Sequence, residues 1–272
     1  MSIIMDSVSV AATEPTLLLR DDADGVTTLT LNRPDAFNAL SVDLLAALQT
    51  ELDLLATDER TRVVVLAGNG KAFCAGHDLK EMRNNPSPEA TRALFAQCSQ
   101  VMLSIIRLSK PVIARVHGIA TAAGCQLVAT CDLAVAAETV RFAVSGVNLG
   151  LFCSTPMVAL SRNLPRKQAM EMLLTGDFID AGTALQYGLV NRVVPADQLD
   201  AAVAELAGKI ASKSPAAVAL GKRLFYQQLE KGLSAAYADA GETMTCNMML
   251  EDAQCGIDAF IAKRPMPEWK GR

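Results

Sequence analysis

Val63-Val64-Val65-Leu66 is an apolar run without a polar break, ended by Gly68. A strand carries such a run only when both of its faces are covered, as in a parallel sheet. Val112 to Val116, entered through Lys110-Pro111, and Leu133 to Ala136 read as two more strands. Helical patterns separate them. Leu44, Leu45, Leu48, Leu52 and Leu55 recur at helical spacing behind Ser41, a candidate N-cap, and a second helix is expected from about Pro88 to Ser109. A short Ala-rich helix precedes Leu133. Strands alternating with helices predict an α/β fold with crossover connections. Ahead of them, Leu17 to Leu19 and Val26 to Leu31 read as a hairpin closed by Asp21 to Gly25, and Asn32-Arg33-Pro34 ends its second strand. From Thr155 onward the pattern is mostly helical, with Pro156 expected at the first helical position and Gly176 and Gly188 as helix ends. With no repeat and no linker, the expected partition is a core over 1–195 and a helical C-terminal region over 196–272.

Composition narrows the function classes. The 272 residues carry 25 Lys and Arg against 29 Asp and Glu, a net charge of −4, which gives no global footprint for nucleic acid. Seven scattered cysteines, an odd number, fit reduced thiols in a cytoplasmic compartment better than a disulfide framework. Asp6 and Glu14 argue against a transit peptide. The most apolar stretch, Gly118 to Ala137, is interrupted by Gln126 and Asp132, so no membrane association is expected. Two histidines without clustered Cys/His spacing predict no metal site.

Two places carry chemistry. The strand ending VVVLAG (63–68) runs into NGKAFCAGHDLKEM (69–82), and the strand VIARV (112–116) runs into HGIATAAGCQL (117–127). Each is a buried strand followed by a small-residue turn that opens a helix, which leaves backbone N–H groups free at the positive end of a helix dipole. Such turns need Gly in many α/β proteins, so either alone says little. GNGKAFCAG also lacks the order of a dinucleotide-binding fingerprint.

Together with LNRPDAFNAL (31–40), CDLAVA (131–136), AMEMLLTGDFIDAGTALQYGLVNRVVP (169–195) and AFIAKR (259–264), the two turns resemble the crotonase (enoyl-CoA hydratase/isomerase) superfamily from about residue 15 to 264. The resemblance implies a spiral of ββα units with a helical C-terminal region that packs between subunits, giving a homotrimer or a dimer of trimers. It implies an acyl-CoA thioester as ligand, coenzyme A entering only as part of the substrate, and a place in fatty acid metabolism. Two backbone amides, those of His77 and Ala123, would hold the enolate-like oxygen as an oxyanion hole. Ala36, Ala39, Ala75, Asp78, Leu79, Lys80, Gln126 and Gly146 match positions at the substrate, and Phe260 and Lys263 match a pair that reaches coenzyme A from a neighbouring subunit. Lys80 and Lys263 would supply local positive charge.

The chain also departs from that pattern. The family commonly has Gly where Ala122 and Ala123 stand, and a well-known member has Lys in place of Asp35. The two glutamates that activate water in its hydratases fall on Gln126 and Gly146. Each such group contributes about 10²–10⁴ in rate, so hydration by the usual route is expected to be weak. Gln126 can orient a water but takes up no proton at neutral pH. Restoring both carboxylates is expected to raise hydration where the pocket is otherwise intact. VNLGLFCSTP (147–156) resembles hydratase-domain-containing proteins that lack both glutamates.

Substitute catalysts have plain counterparts. The His77 ring reads as pocket wall before it reads as a base, and His117 as a turn histidine. Cys153 and Ser154 read as a buried thiol and a helix cap before a nucleophile. Cys74, Cys125 and Cys131 read as core. The tail from Lys263 to Arg272, with Trp269, is expected to be ordered only by a neighbour. The functions carried forward are an acyl-CoA enzyme with weak or non-standard hydratase chemistry, an acyl-CoA-binding protein without hydratase turnover (carrier, sensor or partner subunit), and a thioester hydrolase using His77 or Cys153.

Overall fold

The computed structural model describes residues 16–84 and 86–272; Asp6 and Glu14 lie outside them. β1 (Leu18–Ala23) and β2 (Val26–Leu31) form the expected hairpin, but its turn is shorter than five residues. Pairing continues to Ala23 and Val26, and Asp24 and Gly25, both at positive φ, close it. A two-residue turn of that kind matches the twist of the flanking strands. α1 (Val42–Thr57) begins where the Ser41 side chain accepts the Leu44 N–H, and the five leucines named above are its buried residues.

The next part of the chain repeats one move. β3 (Val63–Gly68) leads by a short turn to β4 (Ala72–Cys74), then to α2 (Leu79–Asn84) and α3 (Pro88–Arg107). β5 (Val112–Val116) leads to β6 (Ile119–Thr121) and α4 (Ala123–Thr130), and β7 (Leu133–Ala137) leads to β8 (Arg141–Ala143). Each turn of this spiral lays one strand in each of two sheets. The larger has the order β1-β2-β3-β5-β7 and is parallel from β2 onward. The smaller sets β4, β6 and β8 side by side and parallel. All six residues of β3 are buried, as its unbroken apolar run requires.

The C-terminal part holds α5 (Ser154–Asn163), α6 (Arg166–Thr175), β9 (Ile179–Asp180), α7 (Ala181–Tyr187), β10 (Arg192–Val194), α8 (Leu199–Ala211), α9 (Pro215–Gln228), α10 (Leu233–Met248) and α11 (Glu251–Ile261). β10 extends the larger sheet parallel to β7, and β9 pairs antiparallel with β8. Neither was expected, because two or three half-buried residues make no periodic signal. Gly176 and Gly188 end α6 and α7 as anticipated.

Two other expectations are corrected. α5 starts at Ser154 with Cys153 in the cap position, so Ser154 is no cap and Pro156 is not the first helical residue. The Ser154 hydroxyl turns back to the Phe152 carbonyl, and a proline in the first turn removes an N–H that has no helical partner anyway. The tail is held by its own chain. The Trp269 ring N–H donates to the Ser212 carbonyl at 2.8 Å, and Lys270 and Gly271 donate their amides to buried Asp252.

One buried ion pair ties the C-terminal helices to the spiral. The Lys222 side chain, 6% exposed, donates to Asp132 Oδ2 at 2.6 Å and to the Ile105 and Lys110 carbonyls at 2.9 Å. Asp132 also accepts from the Val112 amide and the Tyr226 hydroxyl. The carboxylate that interrupts the most apolar stretch thus pins α9 to the start of β5. Lys222→Met strands that charge and is expected to lower stability by about 3–5 kcal/mol in urea denaturation, with Asp132→Asn in the same chain recovering part of the loss.

Candidate functional site

The smaller sheet decides where the two turns meet. β4 and β6 are parallel neighbours, paired Ala72 to Ile119 and Cys74 to Ala120, so the residues that follow them leave the sheet side by side. Those residues are 75–78 and 122–124. β8 lies next to β6, pairing Phe142 with Ala120, and its continuation leads to Gly146. In open α/β sheets the carboxyl ends of adjacent parallel strands are where ligands bind.

Close contacts set the geometry. A methyl group on Gly124 would lie 2.1 Å from the Cys74 carbonyl oxygen, so the first turn of α4 rests directly on the end of β4. Gly76 has φ of +94°, and a methyl group there would lie 3.3 Å from the Ala123 nitrogen. The Thr121 hydroxyl donates to the Ala75 carbonyl at 2.9 Å, which binds the two turns together.

The backbone around His77 is equally fixed. Leu40 donates to the Gly76 carbonyl at 2.7 Å, and Asp78 donates to the Leu40 carbonyl at 3.2 Å. This is a parallel bridge between residues 40 and 77, in which residue 77's own N–H points away from the 40 side. Ala123 is the first residue of α4, where N–H groups have no helical acceptor. Among the described residues neither amide meets an acceptor. Chemically, two such donors suit an oxygen that gains negative charge.

Ala122 stands at φ 48° and ψ −119°, the first central position of a II′ turn, where Gly is free of strain and Ala is not. Its amide donates to the Ala143 carbonyl at 2.9 Å, so the third strand holds the turn in that shape.

The other predicted residues divide into groups. Ala39, Ala75 and half-buried Ala36 lie on the segments bridged at 40 and 77. Leu79 and Lys80 open α2 and are exposed. Asp78 is engaged inside the protein: it pairs with Arg33 at 3.0 Å and accepts the Lys80 and Glu81 amides. Burial raises its pKa, but Arg33 and those amides outweigh burial and hold it below the ordinary value. Gln126 is 4% exposed. Phe260 and Lys263 are exposed at the end of α11, which packs on α10 and not against the turns.

Position 146 overturns an expectation. A Cβ at Gly146 would lie 2.5 Å from the Leu151 carbonyl oxygen and 2.8 Å from Cys153 Sγ. The loop folds back through the Leu151 amide, which donates to the Gly146 carbonyl at 2.9 Å. A carboxylate cannot be restored here without moving backbone. Cys153 is buried, and burial raises its thiol pKa, so the thiol stays protonated at neutral pH. Burial likewise pushes Cys74 and Cys125 up to about 12.

The His77 ring packs edge-on to Phe95 of α3 with centroids 5.3 Å apart. Burial of its ring lowers its pKa from 6.5, against a smaller opposing hydrogen bond at the Leu40 backbone, which leaves it neutral at pH 7. His117 is a turn histidine, its Nε2 2.9 Å from the Gly70 carbonyl oxygen. Among the described residues no cluster of His, Cys, Asp or Glu suits a metal ion, and no helix is long and apolar enough to cross a membrane.

Sequence reasoning missed the residues that hold the 31–40 segment. Fully buried Asn38, at φ 54°, donates to the Asn69 and Ala72 carbonyls at 2.8 Å and accepts the Arg33 amide. An Asn two residues from the Ala36 position, between apolar neighbours, was the available signal.

With this geometry in view, comparison with known proteins is direct. Residues 21–272 match the family model described as enoyl-CoA hydratase/isomerase. The chain belongs to this family. It is 46% identical over 256 residues to the rat (Rattus norvegicus) protein named enoyl-CoA hydratase domain-containing protein 3, mitochondrial, covering 94% of this chain and 85% of that one. The crystal structure of an enoyl-CoA hydratase from Mycobacterium smegmatis superposes with a TM-score of 0.92 at 62% identity, covering 94% of this chain and 99% of that chain. The human domain-containing protein 3 superposes with a TM-score of 0.91 at 44% identity, covering 93% and 100%. The crotonase-like α/β fold is thereby established.

Two outcomes follow from the local geometry. Ala122→Gly relieves a positive-φ alanine and is expected to raise stability by about 1 kcal/mol in urea denaturation. Because burial lowers the His77 pKa, the unfolded chain takes up a proton first as pH falls through 6.5, and stability is lost below that point. His77→Leu is expected to lose less stability than the parent between about pH 7.5 and 5.5.

Proposed function

We propose that this protein binds an acyl-CoA thioester and stabilises its enolate at the His77 and Ala123 amides. The observation that carries the reading is that two backbone N–H groups without an acceptor among the described residues lie close together at the ends of adjacent parallel strands. When a thioester enolises, negative charge gathers on the carbonyl oxygen. Donors fixed beforehand stabilise that charge without reorganising, and losing one such donor typically costs about 10²–10³ in rate. Because both donors are backbone groups, side-chain changes at 77 and 123 leave them present. The family membership and the relatives' names as hydratases support a coenzyme A thioester as ligand. Exposed Lys80 would supply positive charge for its phosphates.

Efficient hydration of an enoyl thioester needs groups that move protons. Gln126 has no titrating proton, and position 146 is closed by the loop that ends at Cys153. This favours a second reading, an acyl-CoA-binding protein with little hydratase turnover. The protonated Cys153 thiol argues against a thioester hydrolase built on it.

Assembly belongs to the same proposal. The C-terminal helices leave Phe225, Leu233, Tyr237, Met244, Phe260 and Ile261 more than half exposed, a concentration of apolar surface that suits contact between copies. A homotrimer or dimer of trimers would bring Phe260 and Lys263 of one copy toward the thioester site of another.

Calorimetry and absorbance together test this reading. The full chain is expected to bind a short acyl-CoA more tightly than coenzyme A alone, while loss of the conjugated enoyl absorbance is slow. Gln126→Glu is expected to raise that rate by about 10²-fold. Gly146→Glu is expected to lower stability and add nothing. Equal affinity for coenzyme A and its acyl thioester would sink the reading.

A further inference from the structure

The tail that follows α11 reverses direction and is fastened back on the helix it has left. The fastening point is Asp252, in the first turn of α11 and 4% exposed. Its carboxylate accepts the Lys270 amide at 2.7 Å, the Gly271 amide at 3.0 Å and the Ser214 hydroxyl at 2.6 Å. The Asp252 amide in turn donates to the Arg272 carbonyl at 3.0 Å. The Trp269 ring packs on Gly256, where a methyl group would come within 3.1 Å of it, and Glu251 pairs with Lys270 and Arg272. Hydrogen bonds to an ionised acceptor are the strong kind, so the tail is clamped to the helix.

The reversal is strained at the other end of α11. Lys263 stands at φ 52°, in the left-handed region that glycine adopts freely and lysine does not. Its amide donates to the Phe260 carbonyl, and that of Arg264 to the Ala259 carbonyl, the bonding of a helix end that glycine commonly closes. Another residue keeps that shape where its surroundings enforce it, and such strain gathers at places that serve a function. Here the clamped tail enforces it, and the bend presents Phe260, 74% exposed, and the exposed Lys263.

We propose that Asp252 is a positioning residue: by clamping the tail it holds the bend at Lys263, and so aims that side chain at the coenzyme A phosphates bound by a neighbouring copy. The inference rests on the thioester and assembly reading above and adds to it a buried carboxylate that sets the affinity of a site it does not touch. Asp252 lies about three helical turns from Lys263, so it acts through the tail and not by contact.

The test is calorimetry on the full chain with butyryl-CoA and with butyryl-pantetheine, which has the thioester but no phosphate. Emission from Trp269, the chain's one tryptophan, reports whether the tail is seated. Asp252→Asn puts an N–H donor where the tail amides need an acceptor, and is expected to shift that emission to the red. It is expected to weaken butyryl-CoA about tenfold and leave butyryl-pantetheine unchanged. Lys263→Ala is expected to cost as much in the parent and nothing more in Asp252→Asn, because both act on one contact. Lys270→Pro removes one of the amide donors and carries the same comparison should Asp252→Asn not fold. An unshifted emission overturns this proposal, as does a released tail with unchanged butyryl-CoA affinity. So do equal losses for both ligands, additive losses with Lys263→Ala, and dissociation of the variant into monomers by light scattering. Each of these leaves the thioester reading standing. A monomeric parent overturns the proposal with the assembly reading, and a parent that fails to bind butyryl-CoA overturns the thioester reading as well.

Discussion

The site depends on the lateral pairing of β4 with β6. Three residues in each strand are enough, because the larger sheet fixes where each begins: β3 and β5 pair in parallel, and short turns carry each into its partner in the smaller sheet. Once the strands are paired, the residues that follow have no choice but to leave together. The Gly124 contact with the Cys74 carbonyl then sets α4 hard against the end of β4, with no side chain between helix and strand. An amide at a helix start and an amide beyond a strand end are brought to one place by main-chain geometry.

That construction separates what must be kept from what can vary. Every residue except proline carries an N–H, so His77 and Ala123 need only the right backbone path. The constraint on the turns is steric. It is met by glycine at 76 and 124 and carried with strain at Ala122, whose amide bond to Ala143 keeps the turn in a shape that alanine does not prefer. Side chains are left open to specialise, which is how an imidazole comes to stand on the residue that supplies one of the donors.

Much of this was legible before any coordinates. Unbroken apolar runs can only be covered strands, and the runs at 63–66, 112–116 and 133–136 are three neighbouring strands of the larger sheet. Ser41 and the five leucines of α1 obey local rules, and so did their placement. The turns were visible as small-residue clusters at strand ends. Interactions between distant segments were not. Nothing local to Asp132 says that Lys222, ninety residues away, will neutralise it. Nor does the sequence near Asn38 say that its amide will hold the turn after β3. β9 and β10 were missed because their pairing comes from neighbours and not from periodicity. The tail was misjudged because its anchor, Asp252, looks like any first-turn acidic residue until the chain folds back on it.

Under the proposed reading, Gln126 and Gly146 stand where two water-activating carboxylates are expected, and the two positions belong together. Removing one carboxylate from a two-carboxylate site leaves space and an unpaired role for the other. The space at 146 is filled by the Leu151 carbonyl and the Cys153 sulfur, and a buried, protonated thiol forms that wall. In such an apolar wall a lone glutamate at 126 would pay for desolvation without a partner, whereas a glutamine keeps the shape and a hydrogen-bonding end at lower cost. Under the proposed reading the site keeps its means of holding an anionic oxygen and lacks the carboxylates that would move protons.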